Sequence, residues 1–222
     1  MGSVFGRITE ETPPFVSLKT GENGRYEIRK YEPQIRAVCE YPVTSEDPFA
    51  EAGKGFRPLA GYIFGGNKGS SAGGDGERKE KESIAMTAPV VVEDSGDRGE
   101  GGAGTKPKTK TRKMAFIMPK SKYTSKESLP IPTNATEVKI EEHPEEVVAV
   151  ITFSWNFSLA AKEAKTKELL EFLREDFGDR IQTADPNESA KFYGYNPPWT
   201  LPWCRKNELV LPITRLPEEL AG

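Results

Sequence analysis

Residues 137–155, EVKIEEHPEEVVAVITFSW, decide the fold class. The stretch is rich in β-branched residues and is interrupted once, at His143 and Pro144, so it predicts two strands joined by a tight turn. A helical pattern follows at residues 158–179, and two further strand-like runs, KFYGYN and NELVLPITR, come after it. This part of the chain therefore reads strand, strand, helix, strand, strand.

The helix in this part of the chain has clear boundaries. Leu169, Leu173 and Phe177 recur one turn apart and would line its buried face. Ser158 precedes the periodic segment as an N-cap, and Gly178 follows it as the residue that ends the helix. We expect it to be one of two helices carried by a sheet.

The first half of the chain repeats the same order of elements. RYEIRKYEP and IRAVCEY read as strands, and residues 47–67 have helical spacing, with Asp47 and Pro48 at their start. Two glycines and Pro58 weaken that helix, so its longer part is expected from Phe56 onward. SIAMTAPVVV and MAFIMP then read as a pair of hydrogen-bonded strands. The sequence predicts an α+β fold built from a duplicated ββαββ-like unit, in which one curved, mainly antiparallel sheet carries two helices.

Two segments rich in glycine, serine and charge interrupt the first half, at residues 65–82 and 93–113. Their composition offers almost nothing to bury, so both predict flexible insertions. Apart from them, the chain reads as a single domain over residues 1–222, with a first half at residues 12–118 and a second half at residues 136–215.

Composition excludes several function classes. With 31 Lys and Arg against 34 Asp and Glu, the net charge of −3 argues against nucleic acid as a partner. No apolar run approaches the length needed to span a membrane, and the first residues lack the features of a secretion signal. The two cysteines form neither a CxxC motif nor a disulfide framework. We therefore expect a cytoplasmic protein, and the even mixture of charges gives no reason to expect more than a monomer.

Residues suited to catalysis are scarce. His143 is the only histidine, so the chain cannot form a cluster of histidine ligands. The favoured interpretation of His143 is a solvated turn residue, and the alternative is an axial iron ligand. No nucleophile elbow, P-loop or dinucleotide-binding fingerprint follows a predicted strand. Glu208 is the one carboxylate in an apolar setting, so the sequence favours a protein that is not an enzyme.

Aromatic side chains are concentrated in residues 191–212, KFYGYNPPWTLPWCRKNELVLP. Stiff aromatic faces stack on planar rings, and cationic side chains bind carboxylates, so the loop is suited to a flat apolar ligand with acidic groups. The other interpretation is a lid packed over the protein's own core. The residues in question are three bulky apolar groups set among prolines and two following cations: Trp199, Leu201, Trp203, Arg205 and Lys206.

Six segments, taken in order, resemble one family. They are YEIRKYEP, GFRPLAGYIFGGN, SIAMTAPVVV, MAFIMPKSKY, VKIEEHPEEVVAVITFSW and YNPPWTLPWCRKNELVLPI. Together they extend over nearly the whole chain and resemble the SOUL haem-binding protein family, in particular its plant and green-lineage cytosolic members. IAMTAPV, YIFGGN and the YNPPWTLP block form a specific combination.

The resemblance implies a distorted, mainly antiparallel β-barrel flanked by two helices. It also implies non-catalytic binding of haem or a related tetrapyrrole in an apolar groove, with the protein acting as an intracellular carrier or buffer. By position, the groove lies between a helix at residues 56–64 and a loop at residues 197–206. The implied ring contacts are Phe56, Leu59, Tyr62, Ile63, Met86, Trp199, Leu201 and Trp203, and the implied partners of the propionates are Arg57, Arg205 and Lys206.

The resemblance leaves the iron ligand unknown. The histidine used in the family lies in the first half of the chain, so its role does not transfer to His143. Tyr62, Met86 and Cys204 are of types that can ligate iron, and we expect a weakly ligated or unligated haem. Two other functions stay open: a protein-interaction module that binds haem incidentally, and an enzyme that acts on a small apolar or tetrapyrrole substrate through Glu208.

Overall fold

The computed structural model describes residues 5–47, 49–69, 81–98 and 109–220. Within them the protein has mixed α/β architecture, with a large antiparallel sheet and few helices, as the sequence predicts. The strands are β1 (Phe15–Thr20), β2 (Glu27–Tyr31), β3 (Gln34–Val43), β4 (Asn67–Lys68), β5 (Val90–Arg98), β6 (Thr109–Ile117), β7 (Ile131–Pro132), β8 (Lys139–His143), β9 (Glu146–Phe153), β10 (Gln182–Thr183), β11 (Lys191–Gly194) and β12 (Asn207–Arg215). The helices are α1 (Gly53–Ile63), α2 (Leu159–Phe177) and α3 (Pro186–Ser189).

The main sheet has ten strands and an open path. Its order is β1-β2-β9-β12-β11-β5-β6-β3-β8, and β10 pairs with β12 beside that path. In the described part of the chain the path ends at β1 and β8 without closing into a barrel. The barrel expected from the resemblance is therefore not confirmed.

Strand β2 continues into β3, and β8 continues into β9, each across a short gap in the ladder. Only two residues separate β2 from β3, and only two separate β8 from β9. Tyr31 pairs with Glu146 and Gln34 pairs with His143, so the two ladders share one antiparallel register across the gap. The predicted tight turn after His143 is therefore wrong, because the chain runs on in the same direction from β8 into β9, and these strands pair with β3 and β2.

The two halves of the chain supply strands in the same order. The first half gives β2, β3, α1, β5 and β6, and the second half gives β8, β9, α2, β11 and β12. When each of these strands is exchanged for its counterpart, the path from β2 to β8 reads the same from either end. A duplicated unit would produce this symmetry, and the duplication itself stays a prediction.

The sheet has two buried faces, because alternate residues of each strand point to opposite sides. One face, here called the helix face, packs under α1 and α2 and contains Val92, Met114 and Phe116 together with Leu59 and Leu169 from the helices. The other, here called the inner face, is apolar at Val38, Val91, Ala115, Val148, Val150, Tyr193 and Val210. The inner face also carries buried charge, which bears on the functional site.

The two long helices differ in how well their sequences predict them. In α2, the Ser158 hydroxyl accepts a hydrogen bond from the Ala161 amide, and Gly178 ends the helix with a φ of +58°, as predicted. Helix α1 begins at Gly53, earlier than the predicted Phe56, and it tolerates Pro58 in its interior. Asp47 does not cap α1; its carboxylate accepts a hydrogen bond from the Phe49 amide in the turn before the helix.

Close packing explains a glycine in α1. A Cβ added at Gly55 would lie 2.4 Å from the Tyr41 ring and 2.9 Å from the Met114 Cβ. Glycine at this position therefore lets the helix lie directly on β3 and β6. This contact fixes where α1 crosses the sheet.

Strands occupy both ends of the predicted insertion at residues 93–113. Its first and last parts belong to β5 and β6, which pair as the predicted hairpin. Glu93 pairs with Lys113 and Asp94 pairs with Arg112, so opposite charges face each other across the strands and support the ladder. The rest of this insertion, and residues 70–80 of the other, lie outside the described residues.

Candidate functional site

All three tryptophans of the chain are exposed, and they lie on two neighbouring loops. Trp199 and Trp203 belong to the 197–206 loop between β11 and β12, and Trp155 belongs to the turn between β9 and α2. Their exposed fractions are 67%, 58% and 62%. We call these three residues the tryptophan surface. Its exposure contradicts the lid interpretation for the indoles of the 197–206 loop.

Arg205 holds the two loops together. Its guanidinium donates hydrogen bonds to the carbonyls of Thr200 (2.9 Å) and Pro198 (2.5 Å), and to the side-chain oxygen of Asn156 (2.6 Å). The first two bonds fix the course of the 197–206 loop, and the third ties that loop to the turn that contains Trp155. The sequence predicted Arg205 as a propionate partner, and three of its five N–H donors are engaged within the protein.

Trp155 has an unusual backbone conformation. Its φ is +78°, in the left-handed region that bulky residues rarely occupy. Its amide donates to the Pro202 carbonyl (2.8 Å), and its own carbonyl accepts from the Asn207 side chain (2.8 Å). Its indole lies beside that of Trp203, with ring centroids 6.3 Å apart and planes inclined by 59°.

Phenylalanines connect this region to the segment before α1. Phe157, two residues after Trp155, packs edge-to-face on Phe192 and lies 5.5 Å from Phe49, measured between ring centroids. Phe49 also lies 3.8 Å from the position that a Gly194 Cβ would take. The turn below the tryptophan surface is therefore packed into the helix face.

The predicted ring contacts on α1 divide into two groups. Leu59, Tyr62 and Ile63 are buried in the core, whereas Phe56 is 42% exposed and Arg57 is exposed. The helical period places the first three under α1, so the crowding of apolar residues there mostly reflects packing on the sheet. Met86 is half-buried against the helix-face core, and Leu201 is half-buried in its loop.

Tyr62 is committed to the fold. Its hydroxyl donates a hydrogen bond of 2.8 Å to the Pro130 carbonyl. Burial, and after it the charges of Tyr123 and Glu82, raise the pKa of Tyr62 above its ordinary value. A phenolate that could ligate iron is therefore strongly disfavoured at this position.

Lys206, the third predicted propionate partner, is also engaged. Its ammonium lies 2.9 Å from a carboxylate oxygen of Glu208 and 4.2 Å from the centroid of the Tyr195 ring. Its amide donates to the Asn196 side chain, which fixes the end of the 197–206 loop. Lys206 thus connects the tryptophan surface to a buried group of charges.

That group, here called the inner charge cluster, consists of Arg29, Tyr31, Tyr195 and Glu208. The Arg29 guanidinium donates to both carboxylate oxygens of Glu208 at 3.0 Å, and the Tyr195 hydroxyl donates to the same carboxylate at 2.7 Å. Glu208 is 0% exposed and Arg29 is 5% exposed. Burial and the neighbouring Glu208 charge raise the pKa of Tyr195, so its hydroxyl stays protonated as a donor. The sequence pointed to Glu208 alone, because its partners come from distant strands.

The described residues contain no group of three or more His, Cys, Asp or Glu side chains placed to hold a metal ion. Cys39 is buried and Cys204 is half-buried. His143 lies at the end of β8, where burial and then the charges of Arg36, Lys191 and Lys113 lower its pKa to about 4. His143 is thus a half-buried neutral residue on the sheet rather than the solvated turn residue that the sequence favoured.

A cavity of about 890 Å³ runs along α2, away from the predicted site. Lys162, Glu163, Lys167, Glu171 and Arg174 contribute to its lining. Leu159, Leu170, Leu173 and Ile181 also line it, so the cavity combines apolar and charged side chains. No helix in the described part of the chain has the length and apolarity needed to span a membrane.

Residues 10–212 match the family described as SOUL heme-binding protein. The chain belongs to this family. The match extends over nearly the whole chain and confirms the resemblance seen in the sequence. SOUL family membership makes haem or a related porphyrin the expected ligand. Among curated proteins, none matches the chain.

Solved structures align with the fold of this chain at low sequence identity. The C-terminal domain of EcmrR aligns with a TM-score of 0.53 and 8% identity, covering 86% of this chain and 98% of that one. A protein from Listeria innocua described as a hydrolase aligns with a TM-score of 0.51 and 14% identity, covering 86% and 92%. An uncharacterized conserved protein from Listeria innocua aligns with a TM-score of 0.52 and 12% identity over the same fractions. At these identities the likeness concerns the fold alone.

Proposed function

We propose that this SOUL family member binds haem or a related tetrapyrrole without catalysis and acts as a monomeric carrier or buffer in the cytoplasm. The observation that carries the proposal is the tryptophan surface, which a haem-binding family member presents on two loops tied together by Arg205. A tetrapyrrole is a flat apolar ring, and exposed aromatic faces gain both burial and stacking energy from such a ligand.

The exposure of the indoles supports a ligand at this place. An exposed tryptophan leaves a large apolar area in water, and clustered apolar exposure marks sites of binding. Three tryptophans in two adjacent loops are exposed in this way. The 197–206 loop is already fixed by its own hydrogen bonds, so little order would have to be gained on binding.

The residue roles follow from accessibility. Trp199 and Trp203 are the proposed ring contacts, with Leu201, Phe56 and Met86 at the edges of the site. The buried residues Leu59, Tyr62 and Ile63 support the site indirectly, because they pack α1 on the sheet. Arg57 stays a proposed propionate partner, whereas Arg205 and Lys206 shape the loop.

We propose that the haem iron is weakly ligated or unligated. Tyr62 is protonated and bonded, and His143 lies on the sheet at the end of β8, among three cations. Affinity would then come mainly from burial of the ring, so iron-free porphyrin should bind about as well as haemin. Weak ligation suits a protein that has to release its ligand.

A spectrophotometric titration with haemin and with iron-free porphyrin tests this proposal. We expect a Soret shift with a midpoint in the low micromolar range or below, lost when Trp199 and Trp203 are both replaced by alanine. The matched control is Ile131→Ala, which removes an equally exposed apolar side chain on β7 (54% exposed) and should leave the titration unchanged. A double variant that binds like the wild type would contradict the proposed site, and a wild type that binds neither compound would contradict the function.

The alternative function is an enzyme that uses Glu208, and the surroundings of Glu208 in the inner charge cluster allow this alternative to be assessed. Glu208 accepts hydrogen bonds from Arg29 and Tyr195 and is fully buried, which favours a structural role. Turnover of a small apolar or tetrapyrrole substrate that disappears in Glu208→Gln, while the folded fraction is unchanged, would favour the enzyme. A protein-interaction module would instead retain a protein partner while failing to bind haemin.

A further inference from the structure

Trp155 has a strained backbone conformation, and its side chain is not part of the core. Non-glycine residues in the left-handed region cost free energy, and glycine or asparagine takes this conformation more easily. The indole of Trp155 is 62% exposed, so burial in the protein does not compensate for that cost. Neither the turn nor the packing therefore explains a tryptophan here.

The surrounding contacts force this conformation. Hydrogen bonds from the Trp155 amide to Pro202 and from Asn207 to the Trp155 carbonyl fix the peptide groups on both sides of its Cα. Arg205 binds the next residue, Asn156. The same loop that presents Trp199 and Trp203 thus determines where the indole of Trp155 points.

The result is a wedge of two indoles. The rings of Trp155 and Trp203 are inclined by 59° at a centroid distance of 6.3 Å, and each side chain is more than half exposed. A flat ring that stacks on one of these indoles meets the other at its edge, and aromatic groups favour both arrangements. Two separately exposed tryptophans without this contact would offer only independent faces.

We propose that Trp155 is a third aromatic contact of the tetrapyrrole and that the wedge of Trp155 and Trp203 is the centre of the binding site. The inference rests on the proposed function and sharpens it. It places the ligand on the turn between β9 and α2 and on the 197–206 loop, with α1 at the periphery. The predicted groove instead had α1 as one of its walls.

Two variants of Trp155 separate the aromatic contact from the fold. Trp155→Gly suits the observed φ and removes the ring, and Trp155→Phe keeps an aromatic ring. We expect about tenfold weaker binding of haemin and of iron-free porphyrin for Trp155→Gly, and about two- to threefold for Trp155→Phe. Thermal unfolding of both variants in the absence of ligand shows whether the fold is intact. Equal affinity of Trp155→Gly and the wild type would overturn the inference.

Fluorescence provides an independent readout, because the chain has three tryptophans and all belong to this surface. In the variant Trp199→Phe/Trp203→Phe, Trp155 is the only tryptophan that remains, so excitation selective for indole reports on it alone. Its emission should be quenched by haemin with the same midpoint as the Soret shift of that variant. Unquenched emission at saturation would place the ligand elsewhere and overturn the inference while the proposed function stands. If wild-type protein gives no Soret shift, the proposed function itself fails.

Discussion

The inner charge cluster and the tryptophan surface lie close together and reverse the usual distribution of polar and apolar groups. In the cluster, Arg29 and Glu208 are buried and hydrogen-bonded to each other, although they are 179 residues apart in sequence. On the surface, three of the largest apolar side chains face solvent. Lys206 links both regions along the chain, since it ends the 197–206 loop that carries Trp199 and Trp203 and its ammonium pairs with Glu208.

The difference indicates what each region is built for. A buried charge is tolerable only with its partners in place, so the cluster constrains β2, β12 and the residue that follows β11. Exposed indoles contribute little to folding, so their retention points to a contact outside the protein. Substitutions in the cluster should therefore change stability, and substitutions on the surface should change binding.

Removing a partner from the cluster should have the largest effect. Arg29→Met leaves the buried Glu208 carboxylate with the Lys206 ammonium and the Tyr195 hydroxyl as its remaining close partners, and we expect a loss of about 3 kcal/mol in the free energy of unfolding. Urea denaturation measures it. A double variant, Arg29→Met/Glu208→Leu, removes both charges and should recover part of the loss, because the Tyr195 hydroxyl and the Lys206 ammonium then lack the carboxylate.

Arg36 provides the matched control for that substitution. It is also a buried arginine on the inner face, at 2% exposed, but its guanidinium donates to the neutral Gln34 and Tyr193 side chains. Arg36→Met should cost less than about 1.5 kcal/mol, because no carboxylate loses a hydrogen-bonded partner there. Equal costs for the two arginines would show that the pairing with Glu208 is not what makes Arg29 important.

Mild acid should affect the inner face before the tryptophan surface. The pKa of His143 is lowered to about 4, so the unfolded chain binds a proton at about pH 6.5 that the folded protein does not. Stability from this group is complete above pH 6.5 and falls as the pH is lowered toward 4, by up to about 2 kcal/mol once its partial exposure is allowed for. Glu141, 3.8 Å from the imidazole, opposes the effect of Arg36, Lys113 and Lys191.

Unfolding measured between pH 7 and pH 4 tests this expectation. The slope of stability against pH should be smaller in His143→Gln than in the wild type, because glutamine does not titrate. An unchanged slope would assign the acid sensitivity to other groups.

Arg205 should couple the two regions with a smaller cost in stability. In Arg205→Ala the carbonyls of Pro198 and Thr200 and the Asn156 side chain lose their donor, and we expect about 1–2 kcal/mol of destabilisation. Porphyrin affinity should fall by about tenfold, because the loops no longer hold the indoles in place. Lys167→Ala, an exposed cation on α2, is the control and should change neither quantity. Wild-type affinity in Arg205→Ala would show that the site does not depend on this arrangement.

The smallest expected change has the opposite sign. Trp155→Gly relieves the left-handed backbone conformation and should raise the free energy of unfolding, by about 0.5–1 kcal/mol. A variant that is more stable and binds porphyrin less well would separate folding from binding at one position. Loss of stability in Trp155→Gly would mean that the indole contributes to the fold.

The sequence predicted the elements that depend on local pattern. Ser158 and Gly178 bound α2 as expected, and the strands around the long insertion pair with each other. It did not predict that β8 and β9 pair with β3 and β2 in one continuous register, since this pairing depends on the whole sheet. The resemblance assigned Leu59, Tyr62 and Ile63 to the ligand, whereas their helical period already indicated a face of α1 that packs on the sheet.

The sequence likewise predicted only those features of the candidate site that depend on local pattern. Prolines around Trp199 and Trp203 indicated a stiff aromatic loop, because local sequence determines stiffness. Trp155 was missed, although a bulky residue between a strand and the N-cap Ser158 was a usable signal. Arg29 could not be linked to Glu208 without the fold, because the strands that carry them are not adjacent in sequence.

The hairpin of β5 and β6 offers a practical consequence. Val90, at one end of β5, pairs with Gly194 beside the loop of the tryptophan surface, whereas Arg98 and Thr109 lie at the far end. At about 3.3 Å per residue, the two ends of β5 are roughly 25 Å apart. A fluorescent protein inserted between Arg98 and Thr109 would sit within energy-transfer range of a bound porphyrin without touching its site, which would turn the chain into a genetically encoded tetrapyrrole sensor.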